Sequence, residues 1–159
     1  MKKIILLMAV LLLLNSCSDN SYIDSISAHD LYLKAKFTDD NMYSLESDVI
    51  YEISDNELPY LLDFVVIRSR DAKNINEVGI FQVESGYADE FEAILNQYVK
   101  EKQMMYRSMN YLPMEAQKVD FARVAAYGNY IIYSFLNEAD TQTLYQNVEI
   151  ALKNQSTAN

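Results

Sequence analysis

The chain of 159 residues contains one cysteine, one histidine, two prolines, three glycines and no tryptophan. Each shortage removes a class of chemistry. With Cys17 as the sole thiol there is no disulfide framework, and no zinc site can be built from thiolates. His29 has no second imidazole to share a metal, and it sits where a helix would start, so it reads as an exposed, solvated residue. Gly79, Gly86 and Gly128 are scattered, which rules out a glycine-rich phosphate loop, and no Gly-x-Ser-x-Gly nucleophile turn is present. Basic residues are also scarce. The 13 Lys and Arg against 23 Asp and Glu give a formal charge of −10, which repels nucleic acid and anionic headgroups as partners. The acids gather at Asp39-Asp40 and Asp55-Asn56-Glu57, without the alternating ligands, turn glycine and distant glutamate of a calcium loop. The sequence therefore names no catalytic residue, no metal ligand and no cofactor. Carboxylates are plentiful enough that a two-carboxylate hydrolase stays open as the alternative to a binding module.

What is present begins at the N-terminus. Lys2 and Lys3 precede an unbroken apolar run, Ile4 to Leu14, of eleven residues. A bilayer core needs about 20 residues to cross, so this run has the length of a signal-peptide core instead. It ends in Leu14-Asn15-Ser16-Cys17, which resembles the bacterial lipobox. The resemblance implies that residues 1–16 are removed and that Cys17 carries a thioether-linked diacylglyceryl group. Two acyl chains anchor a protein stably where one holds only marginally. Losing residues 1–16 leaves 143 residues, one domain's worth, and takes away two lysines, so the mature charge is −12.

Residues 17–26 are short and polar, a tether, and 154–159 read as a flexible tail. Between them, 27–153 reads as a single domain. Ser27-Ala-His-Asp30 opens a helix over roughly 28 to 37 as a capping box. "LLDFVVIRSR" (61–70) and "EVGIFQVE" (77–84) are strands. A helix over about 88 to 109 carries an apolar stripe of Phe91, Ile94, Leu95, Tyr98, Met105 and Met109, with the Lys102 stem beside it. "PMEAQKVD" is a turn or short helix. "FARVAAY-GN-YIIYSFL" is a two-residue hairpin, pairing Tyr127 with Tyr130, Ala126 with Ile131, Val124 with Tyr133 and Ala122 with Phe135. A helix over about 139 to 153 closes the chain. The order predicts an α+β fold: an antiparallel sheet of about four strands, helices packed mainly on one face, and an N-terminal helix added.

The lipobox, "INEVGIFQV" before a long acidic-start helix, the Tyr-rich Pro-containing connector and the "YGNYIIYSF" hairpin together resemble a domain of unknown function found in Firmicutes lipoproteins. The resemblance spans roughly residues 25 to 153. It implies a lipid-anchored protein on the extracytoplasmic face of a bacterial membrane, and Cys17 is the one functional residue that it transfers. For the domain itself the sequence offers a contact patch at Met104, Tyr106 and Tyr111, side chains that the helical stripe leaves over and that suit adaptable binding to an unknown protein or envelope partner.

Overall fold

The computed structural model describes residues 26–35, 41–109 and 113–156. The leader, Cys17, Asp39-Asp40 and Tyr111 lie outside the described residues. In chain order the elements are α1 (Ala28–Ala35), β1 (Met42–Ser44), α2 (Val49–Ile53), β2 (Leu61–Ser69), β3 (Glu77–Val83), α3 (Ala88–Ser108), α4 (Pro113–Phe121), β4 (Arg123–Tyr127), β5 (Tyr130–Phe135) and α5 (Glu138–Ser156). The strands form one antiparallel sheet in the order β1-β2-β3-β5-β4.

The α+β class and the antiparallel sheet match the sequence reading. Two features go beyond it. Residues 42–53, between the expected first helix and the first expected strand, supply a three-residue edge strand, β1, and the one-and-a-half-turn helix α2. Helices also cover both faces of the sheet. Ala28, Leu31 and Ala35 of α1 and Leu144, Val148 and Leu152 of α5 pack on Val65, Ile67, Val78, Ile80, Tyr130 and Ile132. On the other face, Val49 and Ile53 of α2 and Phe91, Leu95, Tyr98 and Val99 of α3 pack on Val66, Phe81, Val83, Ile131, Tyr133 and Phe135. The reason is the period of two along a strand. In β3 and β5 both alternating sets are apolar or buried, and every residue of both strands is buried. Such strands need a layer on each side. Each large apolar side chain taken from water adds about 1.5–3 kcal/mol.

Local signals act as the sequence suggests. Ser27 Oγ accepts the Asp30 amide at 3.0 Å, and Asp63 of β2 accepts the Ala28 amide at 2.7 Å, so the first turn of α1 is capped twice. Tyr130 Oη donates to the Ile26 carbonyl at 2.7 Å and seats that turn on the sheet. The hairpin pairs Tyr127 with Tyr130, Ala126 with Ile131 and Val124 with Tyr133. Ala122 precedes β4, so its expected pairing with Phe135 falls beyond the ladder. Helix α5 runs on to Ser156, where a tail was expected from residue 154, and Lys153 pairs with Glu149 one turn back.

The stripe on α3 differs from the expected one. Its buried residues are Phe91, Leu95, Tyr98, Val99 and Lys102, with Tyr106 half-buried, while Met105 and Met109 are exposed. At about 100° per residue, Val99, Lys102 and Tyr106 shift the centre of the stripe away from Met105. Met109 sits beyond the last helical residue, at the C-cap.

Gly128, the first residue of the hairpin turn, has φ +61°. A β-branched residue is strained there. Gly128→Val is expected to lower stability by about 1–3 kcal/mol, read as a lower urea midpoint. A variant that unfolds with the parent would show that the turn is not under this constraint.

Candidate functional site

Glu77 opens β3, and its side chain is fully buried. The residues around it come from four elements. Arg68 of β2 is its direct cross-strand partner, and Arg68 Nε donates to Glu77 Oε2 at 2.5 Å. Tyr98 and Lys102, one turn apart on α3, reach down from above. Lys102 Nζ donates to both Glu77 oxygens at 2.7 Å and to Tyr98 Oη at 2.8 Å, which uses all three ammonium protons. Tyr98 Oη and Tyr133 Oη, the latter from β5, donate to Glu77 Oε1 at 3.1 and 2.7 Å. Arg68 Nη2 continues outward to Glu52 Oε2 of α2 at 2.8 Å. Lys102 Nζ also lies 4.9 Å from the Tyr98 ring centre and 5.9 Å from those of Tyr106 and Phe135.

Gly79 makes this possible. It lies two residues after Glu77, on the same face, and pairs with Tyr133. A Cβ at Gly79 would meet Tyr133 Cε1 at 2.2 Å and Phe81 Cε2 at 2.7 Å. With hydrogen there, the Tyr133 ring lies across β3 and delivers its hydroxyl to the carboxylate.

The electrostatics follow from burial and pairing. Burial alone would raise the Glu77 carboxyl, but the Lys102 and Arg68 cations and the donated hydrogen bonds hold it below its usual range. Burial and the adjacent Glu77 charge push the Tyr133 and Tyr98 phenols well up. The two positive charges balance those of Glu77 and Glu52. A general acid needs the opposite, a carboxyl held protonated near neutrality with room for substrate. Glu77 accepts five hydrogen bonds from four side chains on its two oxygens, and Lys102 has no proton left for a ligand. This constellation fastens α2, α3 and three strands together. Above it lies a cleft of about 360 Å³ lined by Glu52, Tyr98, Glu101, Lys102 and Met105. A second cleft, of about 410 Å³, lies along α2, between Ser47 and Pro59. A smaller buried ion pair, Glu115–Lys118 on α4, clamps the β2–β3 turn: Glu115 Oε2 accepts the Ile75 amide at 2.9 Å, and Lys118 Nζ donates to Asn74 Oδ1 at 2.9 Å.

The residues singled out in the sequence stand elsewhere. Met104 is exposed. Tyr106 is half-buried, its ring edge-on to Phe135 at 5.5 Å, so it buttresses the core rather than standing free beside Met104. His29, Asp55, Asn56 and Glu57 are exposed, and among the described residues no group of three or more His, Cys, Asp or Glu is placed to hold a metal ion. No helix among them is long and apolar enough to cross a membrane. Sequence reasoning passed over Glu77, Arg68 and Tyr133 as site residues. Their signals were a glutamate opening a strand whose one other polar residue is Gln82, an arginine ending an apolar run, and Lys102 one turn after Tyr98 within the buried stripe.

Residues 30–136 match the domain of unknown function DUF4358. The chain belongs to this family. Glu52, Arg68, Glu77, Gly79, Tyr98, Lys102 and Tyr133 all fall within the matched residues, whereas α5 lies beyond them. No curated protein and no solved structure matches the chain.

Glu77→Gln would leave Lys102 buried, and Arg68 half-buried, against a neutral amide, with an expected loss of about 3–5 kcal/mol at pH 7. The lowered native pKa of Glu77 adds a pH signature. Its stabilisation is full above the unfolded value, near 4.5, and is lost as pH falls through the lower native value. The parent should therefore lose stability on acidification below about pH 4.5 more steeply than Glu77→Gln. Urea midpoints at pH 7 and across pH 5 to 2 check both points, and equal acid slopes would remove Glu77 as the source.

Proposed function

We propose that this protein is a lipid-anchored, extracytoplasmic binding or accessory module of the bacterial cell envelope, held to the membrane by a diacylglyceryl group on Cys17. The leader, with two lysines, an eleven-residue apolar run and Leu14-Asn15-Ser16-Cys17, supports the anchor. Eight residues lie between Cys17 and buried Ile26, nine steps along the chain, a span of at most about 30 Å when extended. The domain then sits close to the bilayer, tethered by lipid rather than by surface charge, which is of the wrong sign for anionic headgroups.

The observation that carries the binding half is the exposed surface at the end of α3, where Met104 is 54% accessible and Met105, Met109 and Met114 are also exposed. Flexible thioether side chains adapt to varied partners. Met104, the outer edge of Tyr106 and Tyr111 in the connector make the contact with a protein or envelope component. No observation favours the alternative of a carboxylate-dependent envelope hydrolase, since the one fully buried carboxylate among the described residues is ionised and saturated.

Cys17→Ser is expected to abolish incorporation of labelled fatty acid and to release the protein from the membrane fraction. Label retained by that variant would defeat the anchor. For the surface, a photo-crosslinking residue at Met104 should give an adduct in intact cells that one at exposed Ile150 on α5 does not. Equal adducts from both positions would defeat the contact assignment.

A further inference from the structure

The two clefts differ in how their polar groups are engaged. In the one above Glu77, Arg68 holds Glu52, Glu77 and Tyr98 hold Lys102, and Gln97 donates to Glu101. In the one along α2, of about 410 Å³, the polar lining residues are Ser47, Tyr51, Asn56 and Glu57. Among the described residues, none of these four side chains takes a hydrogen bond or an ion pair. The cleft keeps its shape without them. Ser54 Oγ donates to the Asn56 carbonyl at 3.2 Å and accepts the Asn56 amide at 3.1 Å, and the Leu61 amide donates to the Leu58 carbonyl at 3.0 Å. The apolar lining residues Ile50 and Leu58 pack against the core that holds Val49, Ile53 and Phe91. Pro59 and Tyr51, the latter 75% exposed, complete the apolar part of the lining.

We propose that this cleft binds a neutral saccharide. Its volume lies within the roughly 300–1,000 Å³ of small-molecule sites. A sugar ring has an apolar C–H face, which rests on aromatic and aliphatic surface such as Tyr51, Leu58 and Pro59 provide. Its rim carries hydroxyls, each both donor and acceptor. The free groups of the cleft call for both functions: Glu57 only accepts, Asn56 offers two donors and an acceptor, and the Ser47 and Tyr51 hydroxyls do either. Other ligand classes match the lining less well. An anion meets the wrong sign, because Glu57 is the one charged lining residue and Asp48 and Asp55 flank the lining in sequence. A proline-rich peptide also docks in tyrosine-lined grooves, but proline has no N–H to give to Glu57. A purely apolar ligand would dehydrate four polar groups without pairing them. This site shares no residue with the anchor or with the partner contact proposed above, so it stands or falls separately from both.

The test titrates the 15N-labelled full-length chain, in a detergent without a sugar headgroup, with cellotriose, chitotriose and maltotriose, and follows the backbone amide signals. The expected result is that at least one of these neutral trisaccharides moves the signals of Ser47, Tyr51, Asn56, Glu57 and Leu58 together and saturably, while glucose 6-phosphate moves none of them. Tyr51→Ala, at an exposed position, should keep the parent's urea midpoint and weaken binding about tenfold. Glu57→Gln should weaken it less, since the amide still accepts a hydrogen bond. Met104→Leu should leave it unchanged. The absence of any shift with all three sugars at about 10 mM would overturn the proposal. So would a Tyr51→Ala variant that binds like the parent, or a response of these signals to a proline-rich peptide and to none of the sugars.

Discussion

A carboxylate moved from water into an apolar interior loses several kcal/mol of solvation unless other groups replace the water it leaves behind. Glu77 meets that constraint with two cations and two phenols, and meeting it organises much of one face of the sheet. Arg68 must stand opposite it on β2, Tyr133 must reach it from β5, and Tyr98 and Lys102 must come down from α3. The register of three strands and the rotation of α3 thus converge on two oxygen atoms. Arg68 passes the constraint on to α2 through Glu52, an ion pair added to the core packing of Val49 and Ile53.

The same geometry explains why α3 presents Lys102 and Tyr106 inward and its methionines outward. An apolar stripe alone would leave the helix free to roll by tens of degrees. The ammonium at Lys102 does not allow that, because rolling would separate it from Glu77 in a medium where the separation is costly. Fixing Lys102 brings Tyr106, four residues on, edge-on to Phe135, and leaves Met104 and Met105 to solvent. The exposure of Met104 and Met105 follows in this sense from how the buried charge is neutralised. Both lie within the residues matched by the DUF4358 family.

Much of the local structure was legible in the sequence. The Gly128-Asn129 turn and its register, the Ser27 cap and the bounds of β2, β3 and α3 follow from residue-level preferences that act within a few positions of themselves. The leader and Cys17 are likewise a linear signal, and the basis of the proposed anchor is read from them without any fold. The continuous apolar character of "YIIYSF" carried the two-sided burial of β5, although a one-sided sheet was expected. The short β1 and α2 carried little signal, because three to five residues hold no full period and their pairing with β2 is fixed from a distance.

The sequence by itself determined composition, charge, the single cysteine that leaves no partner thiol for a disulfide or a thiolate zinc site, and the order of the main elements, because these are sums or short-range patterns. Tertiary structure alone decided which polar residues are buried together. Arg68, Glu77, Lys102 and Tyr133 span 66 residues of chain and look in isolation like ordinary surface charges and core aromatics. Only strand register sets Arg68 opposite Glu77, and only the missing Cβ of Gly79 lets the Tyr133 ring cross to the carboxylate. Long-range pairing of that kind is settled by the fit of whole faces, and no short window of residues contains it.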